Sequence, residues 1–200
     1  MDKQIIISIG REFGSGGHQI ATDISKHFNL PLYDKSILEN IAKEKGVDVN
    51  ELCKFDEIPK NRLFSRTVQG HSSSPEEAIA NMQFDFLREK ASSGESFVVV
   101  GRCANSILKE YDGLISVFVT ADMEKKIDRV AEYFDIDREQ AHDIIVKNNK
   151  KRKLYHNFYC KEKWGDSRHY ELIINTSRIG IPQAKEIVQA YVEKYIESNK

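Results

Sequence analysis

Gly14, Ser15, Gly16 and Gly17, followed by His18, stand between an apolar run ending at Ile9 and a stretch in which Ile20, Ala21, Ile24 and Phe28 recur at helical spacing. Glycines let successive backbone N–H groups turn toward one point, and the start of the following helix adds unpaired N–H groups and its positive dipole end. Such a cradle binds phosphate. The plainer reading is a tight strand-to-helix turn. The position after the first strand, at the opening of the first helix, puts phosphate binding ahead of it.

The loop does not match the P-loop pattern GxxxxGK[ST]. With Gly16 as the second glycine, Arg11 takes the first glycine's place, Gly17 the lysine's and His18 the hydroxyl residue's. With Gly10 as the first glycine, the second falls on Ser15. Neither register supplies a lysine for the β/γ-phosphates or a hydroxyl for magnesium. Positive charge must then come from elsewhere, and Arg11 and His18 are nearest in sequence.

Further candidates lie downstream. Asp34 follows the short apolar pair Leu32-Tyr33. It can cap the next helix, Lys35 to Lys45, or face the phosphate loop across the open edge of a parallel sheet. Both roles are compatible. Arg62 and Arg66 could share a helix face as a phosphate clamp, against the commoner reading of solvated surface charge. Arg102 follows Gly101 directly after the buried run Phe97 to Val100. Lys147, Lys150, Lys151, Arg152 and Lys153 are five cations in seven residues, followed by Tyr155, Phe158, Tyr159 and Trp164. That segment can be a solvated helix surface, a stacking surface for single-stranded nucleic acid, or a mobile lid that carries cations over a phosphate.

The elements that must position these groups alternate between strand and helix. Strands are expected at Ile5 to Ile9, Leu32-Tyr33, Phe97 to Val100, Leu114 to Thr120 and Leu172 to Ile174. Ser74-Pro75 opens a helix to about Ala91, Asp122 one to about Phe134, Asp137-x-x-Gln140 another, and the last spans Pro182 to Glu197. Residues 46–75, punctuated by Pro59, Gly70 and Ser72-Ser73-Ser74, interrupt the alternation; Asp48-x-x-Glu51 could form a capping box within them.

Two hundred residues suit one α/β domain. With 30 basic against 31 acidic residues, net charge offers no argument for nucleic acid or membrane as partner. Cys53, Cys103 and Cys160 show no metal-binding spacing and read as reduced thiols. The N-terminal apolar run is too short for a signal peptide and no segment is long enough to span a bilayer, so a cytoplasmic location is expected.

Taken together, the strand–GSGG–helix unit, Tyr33-Asp34, the VVVGR run before a helix, the basic segment, and a strand entering Asn175-Thr176-Ser177 resemble the cytidylate kinases. The chain is most similar to the cytidylate kinase-like family, whose loop reads S-R-E-F/Y-G-S-G-G, over roughly residues 4 to 195. The resemblance implies a P-loop-type three-layer α/β/α domain with a parallel five-stranded sheet, a helical substrate-binding insertion at about 46–75 and a lid at about 147–166. It implies that Gly14, Ser15, Gly16 and Gly17 hold the donor phosphates and that Arg102 binds the acceptor monophosphate. It also matches Asp34 to the Asp after the second strand and Arg152 to a lid arginine. Cys103 stands where the cytidylate kinases carry an Asp that helps recognise cytosine.

The expected activity is transfer of the terminal phosphoryl group of ATP, or another nucleoside triphosphate, with Mg²⁺ to a small acceptor such as CMP. Arg11, Arg102 and Arg152 would offset transition-state charge, and Asp34 would hold a magnesium-bound water or orient the acceptor. Arg62, Arg66 and Lys150 would assist on the substrate side. Two other classes stay open: a nucleotide-binding sensor module without catalysis, and a dinucleotide-binding domain, for which Gln19 stands where a third glycine is needed.

Overall fold

The computed structural model describes residues 3–46, 48–56, 58, 67–68, 71–72 and 74–199. Arg62 and Arg66 lie outside the described residues, as do residues 59–66 as a whole within the expected insertion. The central strand β1 (Ile6–Arg11) runs into the glycine loop and then α1 (Gly17–His27). After β2 (Leu32–Tyr33) come α2 (Ile37–Lys45), α3 (Val49–Cys53) and a small antiparallel pair, β3 (Thr67–Val68) with β4 (His71–Ser72). Helix α4 (Pro75–Ser92) leads to β5 (Phe97–Val100), the short α5 (Ala104–Ile107) and β6 (Leu114–Thr120). The chain closes with α6 (Met123–Phe134), α7 (Arg138–Tyr159), β7 (Leu172–Asn175) and α8 (Thr176–Ser198).

Five strands form one parallel sheet in the order β2-β5-β1-β6-β7. Period-two alternation divides its core. Ile6, Phe97 and Val99 face α2 and α4, packing on Ile37, Leu38 and Leu87. Ile7, Ile9, Val98 and Val100 face α1 and α8, packing on Ile20, Ile24, Ala184 and Val188. A sheet buried on both faces needs apolar residues at every strand position, which is why its strands read as continuous runs. The fold is the three-layer P-loop-type α/β/α expected from the sequence. Because β1 is flanked by β5 and β6, the chain leaves it toward both edges of the sheet, and ligands gather at the carboxyl end of strands at such a switch point.

Several boundaries differ from expectation for local reasons. Asp34 does not cap α2 directly; its Oδ1 accepts from Ser36 N–H at 2.9 Å, a turn that delays the helix to Ile37. Asp48 accepts from Asn50 N–H and caps α3 without the reciprocal Glu51 contact. Ser74 and Pro75 open α4 as expected, but the serine hydroxyl turns to Glu76 rather than to the backbone. Helix α8 begins at Thr176, well before Pro182, because the Asn175 side chain accepts from Ser177 N–H at 2.8 Å. Gly180, at φ 78° and ψ 173°, then breaks it before Pro182 restarts it. The basic run lies in the C-terminal half of α7, one continuous helix that opens with the expected Asp137–Gln140 capping box.

Candidate active site

The glycine loop sits at the carboxyl end of β1, and distant parts of the chain hold it from behind. Gly14 and Gly16 adopt φ of 77° and 87°, which glycine reaches without a Cβ clash. Ser15 is fully buried and its hydroxyl donates to the Glu12 carbonyl at 2.8 Å. Arg129 on α6 spreads its guanidinium over the back of the loop. Nη1 donates to the carbonyls of Gly14 (3.3 Å) and Ser15 (3.2 Å) and to Thr176 Oγ1 (2.8 Å), while Nη2 donates to the Thr176 carbonyl (3.1 Å). Thr176 Oγ1 donates in turn to the Ser15 carbonyl at 2.8 Å. Asn149 on α7 accepts from Phe13 N–H at 2.7 Å. Under the loop, Lys126 Nζ pairs with Glu12 Oε2 at 2.7 Å, and Thr120 Oγ1 donates to the same oxygen at 2.9 Å.

The first-turn N–H groups of α1 have no intrahelical partners, the property that makes a helix start an anion site; Gly17 N–H reaches Ser15 Oγ at 3.4 Å. Burial lowers the pKa of Arg129, since a desolvated guanidinium is costlier to keep charged. It stays cationic at any ordinary pH.

The missing lysine has a steric cause. A β-carbon at position 17 would stand 2.5 Å from Arg11 Cβ and 3.2 Å from Arg11 Cγ. No side chain fits there while Arg11 occupies the space. A β-carbon on Gly101 would meet Arg11 Nη1 at 2.1 Å, so the arginine reaches from the foot of α1 to the end of β5. There it enters a crevice that Arg102, Arg152, His156 and Trp164 also line. The structure thus brings together Arg11, Arg102 and Arg152, three of the five arginines singled out from sequence. Arg152 Nη1 donates to the Arg11 carbonyl at 3.3 Å, and its guanidinium lies 5.4 Å from the centre of the Phe13 ring. Lys150 is exposed and does not line the crevice.

Arg102 is presented by an unusual backbone. Gly101, Arg102 and Cys103 have consecutive φ values of 73°, 53° and 56°. Left-handed non-glycine residues cost energy and cluster at functional sites. The Arg102 side chain is 3% exposed and makes a two-pronged pair with Asp56, Nη2 to Oδ2 at 3.1 Å and Nη1 to Oδ1. Gln83 Nε2 donates to the same Asp56 carboxylate at 3.3 Å.

Asp34 and His18 meet beside the loop, Oδ2 to Nε2 at 2.8 Å. Burial pushes the Asp34 carboxyl up, but the His18 and Ser36 hydrogen bonds outweigh it, and its pKa falls below the ordinary carboxylate value. It is ionised at neutral pH. Mg²⁺ commonly takes one or two carboxylates and completes its shell with substrate phosphates and water. Asp34 could supply such a carboxylate; among the described residues no group of three or more His, Cys, Asp and Glu could hold a metal.

Asp56, Asn149 and Arg129 escaped sequence reasoning, and Thr176 entered it only within the Asn175-Thr176-Ser177 run. Only α6 carried a hint: Lys126, beside Ile127 and Val130 on the buried face, is a charge where an apolar residue is expected.

A family model described as the cytidylate kinase-like family matches residues 6–178. The chain belongs to that family. It is 27% identical to the cytidylate kinase of Pyrococcus horikoshii over 192 residues, covering 95% of this chain and 89% of the relative. A crystal structure of an uncharacterized protein from Eubacterium ventriosum is 38% identical, with a TM-score of 0.76 and coverage of 95% of this chain and 99% of the other. Shikimate kinase from Bacteroides thetaiotaomicron shares the fold, with a TM-score of 0.55 at 15% identity, over 94% of this chain and 98% of its own. The glycine loop follows the central strand of this fold, with Arg11 filling the space beside Gly17. No helix among the described residues is long and apolar enough to cross a membrane.

Proposed function

We propose that the chain is a phosphotransferase that moves the terminal phosphoryl group of ATP, or another nucleoside triphosphate, to a small acceptor, a nucleoside monophosphate such as CMP being the first to test. The observation that carries the reading is the course of Arg11: it fills the space a lysine at position 17 would need and extends to the crevice that Arg102 and Arg152 share. The α1 amides and the Gly14–Gly17 backbone would hold the donor's phosphates. Arg11 and Arg152 would lie over the transferring group, and Arg102 on the acceptor side. Phosphoryl transfer needs positioning and charge compensation more than covalent chemistry, and planar guanidinium groups provide both. Mg²⁺ would supply charge compensation at the donor's phosphates. Asp34 would orient its water shell or the acceptor, held in place by His18. The basic half of α7 would serve as the lid, with Arg152 as its contributing residue.

Turnover measured with ATP, Mg²⁺ and a panel of nucleoside monophosphates tests the reading, with Arg11→Ala as its control. That variant should lose roughly one to two decades of triphosphate affinity, the worth of a charge-assisted hydrogen bond, and little monophosphate affinity. Unchanged ATP affinity in the folded variant would remove Arg11 from the role.

A second reading, a nucleotide-binding module without turnover, is favoured by the Arg102–Asp56 pair, which already occupies the guanidinium face an acceptor phosphate would need. ATP binding with no product from any acceptor would select it.

A further inference from the structure

Cys103 and Cys160 come together at the wall of the crevice, though far apart in sequence. Cys103 is 3% exposed, ends the strained Gly101–Cys103 turn and packs with Phe84 and Tyr155; Cys160, half-buried, packs against the same cluster. The Cys103 thiol lies near the Cys160 sulfur, and His156, one helical turn earlier on α7, is close to it as well. Ser106 on α5 also reaches Cys160, and the Tyr170 phenol lies close enough to feel both sulfurs. All three cysteines of the chain are thiols.

We propose that Cys160 and Cys103 are a nucleophile and resolving pair, an oxidation site for hydroperoxides that closes a reversible disulfide between the Arg102 turn and the end of α7. Three features separate this pair from ordinary buried cysteines. Both pack into one cluster, Cys103 and His156 lie beside Cys160, and Cys160 keeps partial access to solvent. Contact with Cys103 first of all, then with His156 and Ser106, draws the Cys160 thiol down to about 5 against the opposing effect of burial. A lowered pKa favours the thiolate, which is the reactive form.

The chemistry balances with hydrogen peroxide as oxidant. The Cys160 thiolate attacks one peroxide oxygen, the O–O bond breaks, and hydroxide leaves as Cys160 becomes a sulfenic acid. The Cys103 sulfur then attacks the Cys160 sulfur; the S–O bond breaks, and the Cys103 proton departs with that oxygen as water. Two thiols lose two electrons, and peroxide is reduced to water and hydroxide. Because Arg102 precedes Cys103 and Arg152 lies on α7, the bridge would tie together two elements that line the arginine crevice. The thiol chemistry stands whether or not the chain transfers phosphate.

The test uses the full chain with the exposed Cys53 replaced (Cys53→Ser), so that only the pair can react. Stoichiometric hydrogen peroxide should remove both thiols, lower the intact mass by about 2 Da as two hydrogens leave, and yield a Cys103–Cys160 cross-linked peptide that dithiothreitol dissolves. With Cys103→Ser added, dimedone should trap a sulfenic acid at Cys160. The untagged wild-type digest gives the same answer if a variant fails to fold. Cys160 passing straight to sulfinic or sulfonic acid with no cross-link, or both thiols surviving peroxide in the folded chain, would overturn the proposal.

Discussion

On the loop side of the crevice, Arg129 donates to the carbonyls of Gly14, Ser15 and Thr176, whereas on the far side Arg102 faces the carboxylate of Asp56. Both are arginines held by strong contacts, but their net charges differ in effect. Arg129 spends its hydrogen bonds on neutral acceptors, so its positive charge still acts through the back of the loop. Arg102 is neutralised by its partner. An anion arriving at the loop meets an uncompensated cation behind a fixed backbone. One arriving at Arg102 must displace a carboxylate. Under the proposed function, rigidity on one side and competition on the other would make the two positions respond differently to ligand charge and to salt.

The largest expected effect comes from breaking the Arg102–Asp56 pair. Arg102→Ala leaves a carboxylate facing a buried space and should cost about 3 kcal/mol in denaturant unfolding, the lower end for a buried pair because Asp56 keeps some solvent contact. Asp56→Asn sharpens the contrast: it should also lower stability, yet reduce the acceptor KM if Asp56 competes with an acceptor phosphate. A higher KM would make Asp56 a binding group instead. Next comes Arg129→Met, which should weaken ATP binding by about 2 kcal/mol through loss of charge-assisted bonds to the loop. If affinity stays and only the melting temperature falls, the loop is not an anion site that Arg129 supports.

Gly17→Lys should destabilise by about 1–2 kcal/mol through overpacking against Arg11, with no gain in ATP affinity. Adding Arg11→Ala opens the space and should recover the loss; failure of that rescue would place the strain elsewhere. The smallest effect belongs to the exposed dyad. His18→Ala should cost less than about 1 kcal/mol, as surface pairs do. Asp34 is depressed in the folded state, so its contribution is fully present above the unfolded carboxylate value of about 3.9 and is lost as pH falls through the lower folded value. The stability gap between wild type and Asp34→Asn, measured by urea unfolding, should therefore be constant above about pH 5 and close in more acid solution.

Local signals carried the sequence a long way. Phe97 to Val100 and Leu114 to Thr120 are strands because β-branched and apolar residues fill both faces, and Asp137 with Gln140 opens α7 by a bond that spans one turn. The glycine loop, too, was legible, because φ above zero at Gly14 and Gly16 needs residues without a β-carbon and the chain writes them there. Such preferences act over a few residues, so a few residues reveal them. Tertiary structure decided the rest. The order β2-β5-β1-β6-β7 places the ends of β1 and β5 side by side, bringing Arg11 over Gly101. It also sets α6 behind the loop, so that Arg129 grips a carbonyl 115 positions earlier in the chain. Apart from the buried Lys126 one turn before Arg129, nothing nearby marks Arg129 or Asp56, since their partners are chosen by how the layers stack. That Gly17 is a glycine could be read from the sequence; that Arg11 requires it to be one depends on the packing of β1 against α1.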